Sequence, residues 1–153
     1  GFKKKVLEVG CGTGQLSIYF SLGTNNRIVG FDPTIQSLNL AKNFATKNEI
    51  SNIEFVNADI FDDVLVDNYF DFVYSINTFH NLHIYDLEKS ILELNRVSKR
   101  NKYICVESYR NEKEKSNLLY WQVTCETFFN PKEWEWFFKK NNYDGNYSFI
   151  YFE

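Results

Sequence analysis

Three glycines at alternating positions, Gly10, Gly12 and Gly14, follow directly on the short apolar run Val6-Leu7-Glu8-Val9. Glycine there lets the backbone turn sharply and lets a ligand reach the main chain without meeting a Cβ. Other apolar runs also end on side chains capable of chemistry. Asp32 follows Arg27 to Phe31, and Asp59 follows Ile53 to Ala58. Ser75 to His80 close the run from Phe70, and Glu107 to Arg110 close Tyr103 to Val106. Ionisable groups rarely gather at one edge of a sheet without a polar ligand to meet them.

The elements that must position these groups follow from periodicity. Val6, Leu7 and Val9 suit a buried parallel strand, and Gln15 to Leu22 suits a short helix with Leu16, Tyr19 and Phe20 on its apolar face. Strand, glycine loop and helix N-terminus form the geometry by which doubly wound α/β folds hold nucleotide cofactors. Arg27 to Asp32 reads as the second strand, and Pro33 suits the first turn of a helix with Ile35, Leu38, Ala41 and Ala45 in register. Strands are expected over 53–58, 70–76 and 103–106. A long helix between the last two is expected to be capped by Asp86. Lys99-Arg100-Asn101 reads as a turn, with Asn101 supplying any left-handed residue. Asn130-Pro131-Lys132-Glu133 is a helix start with a capping box, and Phe129 and Trp134 are placed as a hydrophobic staple. Tyr147 to Phe152 is expected as a last, antiparallel strand. The fold class is α/β: a doubly wound, mostly parallel sheet of about six strands with helices on both faces.

Composition narrows the classes. The 153 residues suit one domain, 1–153, with a single core. The net charge of -3 comes with mixed acids and bases and no basic stripe, so no nucleic-acid partner is expected. No apolar run spans a membrane and no signal peptide is visible, so no membrane partner is expected. Three cysteines, Cys11, Cys105 and Cys125, read as reduced thiols in a cytoplasmic protein. The chain has no methionine and opens at Gly1, almost on its first strand, which suggests a missing N-terminal segment.

Spacing discriminates among cofactors. A dinucleotide fingerprint needs a third glycine where this chain has Gln15, which counts against a nicotinamide-dependent oxidoreductase. VLEVGCGTG, with Glu8 two residues before Gly10, closely resembles the first motif of class I S-adenosylmethionine-dependent methyltransferases. The order that follows also resembles that family over most of the chain: Asp32, then Asn57-Ala58-Asp59, then Phe70-Asp71-Phe72-Val73-Tyr74-Ser75, then Leu94-Asn95-Arg96-Val97.

The resemblance implies S-adenosyl-L-methionine as cofactor, with S-adenosyl-L-homocysteine as product. The backbone of Gly10, Cys11, Gly12 and Gly14 would lie against its methionine part, with Pro33 and Ser75 beside the site. Asp32 would accept from both ribose hydroxyls, a task suited to a carboxylate. Asp59 would accept from the adenine amino group with Ile60 against the ring, and Glu8 would stand near the ammonium. By its position after the fourth strand His80 would be the general base, and the default methyl acceptor, by analogy with the family, is a small polar metabolite.

Each residue also has a plainer role open to it: Asp32 as a cap for Thr34, Asp59 as one more loop acid, Glu8 and His80 as structural hydrogen-bonding groups. His80 and His83 form an H-x-x-H without a completing ligand set, so no metal is expected. Tyr120 and Trp121 suit either the pocket or the core. A catalytically inactive cofactor-binding regulatory module is the alternative from another class, and an aminopropyl transferase would require an acid where Ser75 and Asn77 stand.

Overall fold

The computed structural model describes residue 1 and residues 3–153. The elements in order are β1 (Lys5–Val9), α1 (Gln15–Ser21), β2 (Arg27–Asp32), α2 (Ile35–Lys47), β3 (Ile53–Asn57) and β4 (Phe70–Ile76). A 3₁₀ turn (Phe79–Asn81), α3 (Ile84–Val97), β5 (Ser98–Glu107), α4 (Glu112–Trp121), α5 (Pro131–Lys140) and β6 (Asn146–Ile150) follow. The six strands form one sheet in the order β3-β2-β1-β4-β5-β6. The order reverses between β1 and β4, so a crevice opens at their carboxyl ends, where the glycine loop and the residues after Ser75 meet.

Strand alternation assigns the two faces. Leu7 and Val9 point with Val29, Phe31, Val73 and Ile104 toward one layer, where α3 contributes Leu87, Ile91 and Leu94 and α5 contributes Trp134, Phe137 and Phe138. On the other face, Phe55 and Cys11 pack with Ile18 of α1 and Leu38, Ala41 and Ala45 of α2. Val6 shares this second face with Ile28 and Tyr74, and Glu8, two residues on, points the same way. Among the described residues, no helix is long and apolar enough to cross a membrane.

Three local expectations are corrected. The last strand is parallel, not antiparallel: Tyr103 faces Asn146 and Glu107 faces Ile150, so both strands run the same way. The chain leaves the top of β5, passes through α4 and α5, and returns to the bottom edge; a helical crossover of this kind yields a parallel neighbour. Lys99 to Asn101 belong to β5 as an irregularity, not a turn. Phe70 faces Ser98 and Phe72 faces Asn101, so Lys99 and Arg100 bulge opposite Asp71. Asp71 holds this bulge by accepting from Lys99 Nζ and from the backbone N–H of Lys5, each at 2.8 Å. Asn101 is not among the residues with positive φ. Finally, α3 begins two residues ahead of Asp86, which sits in its first turn; His83 occupies the cap position without a side-chain bond.

The capping box of α5 is present in both directions, Asn130 Oδ1 accepting from Glu133 N–H at 3.0 Å and Glu133 Oε2 from Asn130 N–H at 2.7 Å. The staple is present too, with Phe129 and Trp134 rings 5.1 Å apart. Trp134 is fully buried and its Nε1 donates to the carbonyl of Glu107 at 3.2 Å, fixing the end of β5. The long loop 58–69 has no helix. Arg96 ties it to α3 by bonding both Glu93 and Asp67, while Asn68 and Tyr69 N–H groups donate to the carbonyls of Arg96 and Val97.

Candidate functional site

The loop after β1 is built from backbone geometry. Gly10, Gly12 and Gly14 have φ of 77, 53 and 74°, in the left-handed region that other residues enter at a cost. Gly10 and Cys11 N–H groups donate to Phe31 O at 2.8 and 2.9 Å, and Gly14 N–H closes a tight turn onto Cys11 O at 2.8 Å. A Cβ on Gly10 would run into the side chain of Thr78. One on Gly14 would lie 2.6 Å from the Phe55 ring, whereas one on Gly12 would point into open space. The loop is therefore packed on the protein side at Gly10 and Gly14, and open to a ligand at Gly12.

Asp32 binds this loop directly. Its Oδ2 accepts from Gly12 N–H and its Oδ1 from Thr34 N–H, both at 2.8 Å. It thus accepts from the backbone at the approach to α2, as the cap reading expects, and it also holds the glycine loop. Each carboxylate oxygen keeps a further lone pair. Asn57, absent from the sequence-based set, supports this corner by donating Nδ2 to the carbonyls of Asp32 and Pro33 at 3.1 and 2.9 Å.

A cavity at the same sheet edge is lined by Gly10, Phe31, Pro33, Asp59, Ile60 and Phe79, among others. It brings together four residues picked from sequence and adds Thr78, Phe79 and Leu82. These last three lie in the 77–85 stretch, whose lack of periodicity gave no signal. Asp59 has its carboxyl pushed above the usual range by burial, with Asp62 and Asp86 acting in the same direction against the N–H groups of Ile60 and Phe61. Asn77, at φ 61°, makes the sharp exit from β4 that sets Thr78 over Gly10.

The remaining sequence-picked residues point inward. Glu8 is buried behind the loop; its Oε2 accepts from Ser17 Oγ of α1 and from Tyr74 OH of β4 at 3.1 Å. Burial raises its pKa, and those two bonds oppose the shift. Ser75 Oγ donates to Val9 O at 3.0 Å, lacing β4 to β1. Cys11 packs beneath the loop, where burial pushes the thiol up to about 12. It is a neutral packing group at physiological pH.

His80 is 1% exposed and faces Glu107, also 1% exposed. Its Nδ1 accepts from the Glu107 N–H at 3.2 Å, and its Nε2 lies 3.1 Å from Glu107 Oε2, which has no aligned hydrogen-bond donor among the described residues. The His80 carbonyl accepts from the N–H groups of Glu126 and Thr127. Burial lowers the imidazole pKa to about 4 and raises the Glu107 carboxyl to about 7. His83 points outward, 3.6 Å from Glu126. Among the described residues, no group of three or more His, Cys, Asp or Glu is placed to hold a metal ion.

A pH dependence follows. Glu107 has a folded pKa above its ordinary 4.5, so its contribution is full below about 4.5 and is lost as pH rises through about 7. His80 has a folded pKa below its ordinary 6.5, so its contribution is full above about 6.5 and is lost as pH falls through about 4. The two oppose one another between about 4.5 and 6.5, so the net contribution of this pair changes little there. Glu107→Gln leaves only the imidazole of this pair, and its stability relative to wild type is expected to rise with pH across that window. Urea midpoints at pH 4.5, 5.5 and 6.5 check this; parallel profiles for the two proteins would contradict it.

Comparison with known proteins agrees with the geometry. The methyltransferase domain family matches residues 2–142, almost the whole chain. An uncharacterized methyltransferase of Schizosaccharomyces pombe is 31% identical over 109 residues, covering 66% of this chain and 38% of that protein. Sterol 24-C-methyltransferase of Pneumocystis carinii is 28% identical over 123 residues, covering 75% of this chain and 32% of that one. The chain thus spans between 30 and 40% of the length of these curated relatives. A SAM-dependent methyltransferase from Aquifex aeolicus superposes with a TM-score of 0.57 at 30% identity, over 64% of this chain and 52% of that one. The YcgJ protein from Bacillus subtilis shares the fold with a TM-score of 0.76 at 22% identity, over 90% and 61% of the two chains. The glycine loop bound by Asp32, the cavity with Asp59 and Ile60, and the match along nearly the entire sequence lead to one conclusion: this chain belongs to the class I, S-adenosylmethionine-dependent methyltransferase domain family.

Proposed function

We propose that this domain transfers a methyl group from S-adenosylmethionine to a small polar metabolite. The observation that carries the cofactor half of the proposal is the bond from Gly12 N–H to Asp32 Oδ2 at the open side of the loop, with Phe31 and Pro33 on either side of Asp32 lining the cavity that holds Asp59 and Ile60; the acceptor class follows from the family resemblance. When bound, the cofactor supplies an electrophilic methyl on a sulfonium for in-line displacement. The chain's own part is binding and orientation. Gly10 to Gly14 present backbone that a ligand can approach at Gly12. Asp32 has free lone pairs for two hydroxyls, and Asp59 with Ile60 forms a polar-and-apolar pair suited to an adenine edge and face. Glu8, Ser75 and Tyr74 keep β1, β4 and α1 in register beneath that loop.

His80 is the candidate general base. In the folded chain both ring nitrogens face Glu107, so accepting a proton from a bound acceptor requires the ring to turn out of that contact. This inward placement favours a second reading, in which His80 braces the 3₁₀ turn against β5 and the acceptor arrives already nucleophilic. His80→Ala separates the two. As a base, its loss lowers turnover roughly a hundredfold or more with cofactor affinity retained. As a brace, its loss lowers the unfolding midpoint while folded protein keeps its turnover. A single-turnover assay alongside a denaturation curve decides between them. A domain that binds the cofactor tightly but transfers no methyl to any metabolite pool would instead be the regulatory module.

A further inference from the structure

The amino ends of the strands, opposite the cofactor edge, carry a feature that methyl transfer does not use. Two cavities of about 520 and 420 Å³ share Phe72, Arg100 and Asn101 and so form one trough along the starts of β4 and β5. Each lies in the size range of small-ligand sites. The trough has half-buried aromatic rings, Phe72 and Tyr103, and the amide of Asn101. Its lining carries Lys4, Lys99, Arg100 and the buried Lys102 against Asp71 and Asp144, whose carboxyls also feel the charges of Lys4 and Arg100. Lys99 is paired with Asp71 at 2.8 Å and Lys102 with Asp144, which leaves Lys4 and Arg100 with no ion pair among the described residues. This local excess of positive charge stands on a chain whose net charge is -3. It forms no stripe in the sequence because the fold collects it from the starts of separate strands. The bulge at Lys99 and Arg100 brings both cations to the trough.

Cations without an ion pair among the described residues, beside two half-buried rings (one face of Phe72 stacks on Tyr74) and a side-chain amide, match one ligand chemistry: a planar base joined to a phosphate. We propose that this trough is a second ligand site that binds a nucleotide, its phosphate between Lys4 and Arg100 and its base against Phe72 and Tyr103. The nucleotide is either free or part of a single strand, and the site is separate from the one proposed for the cofactor.

The test is binding of adenosine monophosphate by calorimetry, and of a 5′-labelled octauridylate by fluorescence anisotropy. Both are run with S-adenosylhomocysteine saturating, so that the cofactor edge is filled. The expected result is binding that survives this saturation and falls tenfold or more in the Lys4→Glu/Arg100→Glu protein, with S-adenosylhomocysteine affinity unchanged. Phe72→Leu is expected to weaken the nucleotide but not inorganic phosphate. A single-strand source shows as octauridylate binding at least tenfold tighter than the monophosphate, with steep salt dependence. A free-nucleotide source shows as no such gain. Three results would each overturn the proposal: neither probe binds, binding is unmoved by the double charge reversal, or inorganic phosphate competes as well as the monophosphate. If S-adenosylhomocysteine itself fails to bind, the charge-reversal comparison alone still decides this site.

Discussion

Gly14→Ala is expected to destabilise the fold by about 2–5 kcal/mol. Gly14 is the cap residue of α1 at φ 74°, and a left-handed alanine costs roughly 1–2 kcal/mol. The added Cβ would lie 2.6 Å from the Phe55 ring and 2.9 Å from Ala41 Cβ, both buried. Overpacking of that kind adds about 1–3 kcal/mol. Domain stabilities lie near 5–15 kcal/mol, so the loss is a large fraction of the whole. The urea midpoint should fall with the slope unchanged. Gly12→Ala supplies the internal comparison, because its Cβ meets nothing within 4 Å. It bears only the conformational cost, and its larger effect should fall on ligand approach. Equal midpoints for the Gly14 variant and wild type would show that the loop does not pack as described.

Asp32→Ala is expected to weaken S-adenosylhomocysteine binding by about tenfold to a hundredfold. Hydrogen bonds to a charged group are worth about 1.5–3 kcal/mol, and each 1.4 kcal/mol is a factor of ten in affinity. Two losses contribute. In the proposed binding mode the carboxylate would no longer meet the ribose hydroxyls, and the N–H groups of Gly12 and Thr34 lose the acceptor that fixes the loop against α2. The cleaner measurement is calorimetric affinity, with circular dichroism confirming the fold. Unchanged affinity would remove Asp32 from the binding site and leave it as a cap alone.

The parts of the fold that were legible in sequence are those written in local pattern. Leu7, Val9 and Phe31 marked buried strands, and Asn130, Pro131 and Glu133 marked a helix start to the residue. Strand direction was not legible at β6, since alternation in Tyr147 to Ile150 encodes which side chains share a face, not which way the chain runs. The start of β5 was missed because Lys99 and Arg100 have turn-like polarity, and only the partner Asp71 makes them a bulge.

The site shows the same division. Glycine spacing fixed the loop, and Asp32 lies where a strand-end acid must. For Glu8 the strand parity was available: it alternates with Leu7 and Val9, so it points to the α1 face and finds Ser17 and Tyr74. His80 lies in an aperiodic turn, where no parity indicates inside from outside, and its burial depends on Glu107 from a distant strand. Tyr120 and Trp121, undecided between core and pocket in sequence, are exposed at 76% and 67%. Their helix is anchored elsewhere, through Leu118 and Glu114.

The measurement that bears most directly on the central proposal is a calorimetric titration of the purified chain with S-adenosylhomocysteine and, separately, with NAD. Cofactor-class binding predicts micromolar affinity for the first, reduced in Asp32→Ala, and for NAD no binding that S-adenosylhomocysteine displaces. Binding of NAD at the Asp32 site, with none of S-adenosylhomocysteine, would contradict it.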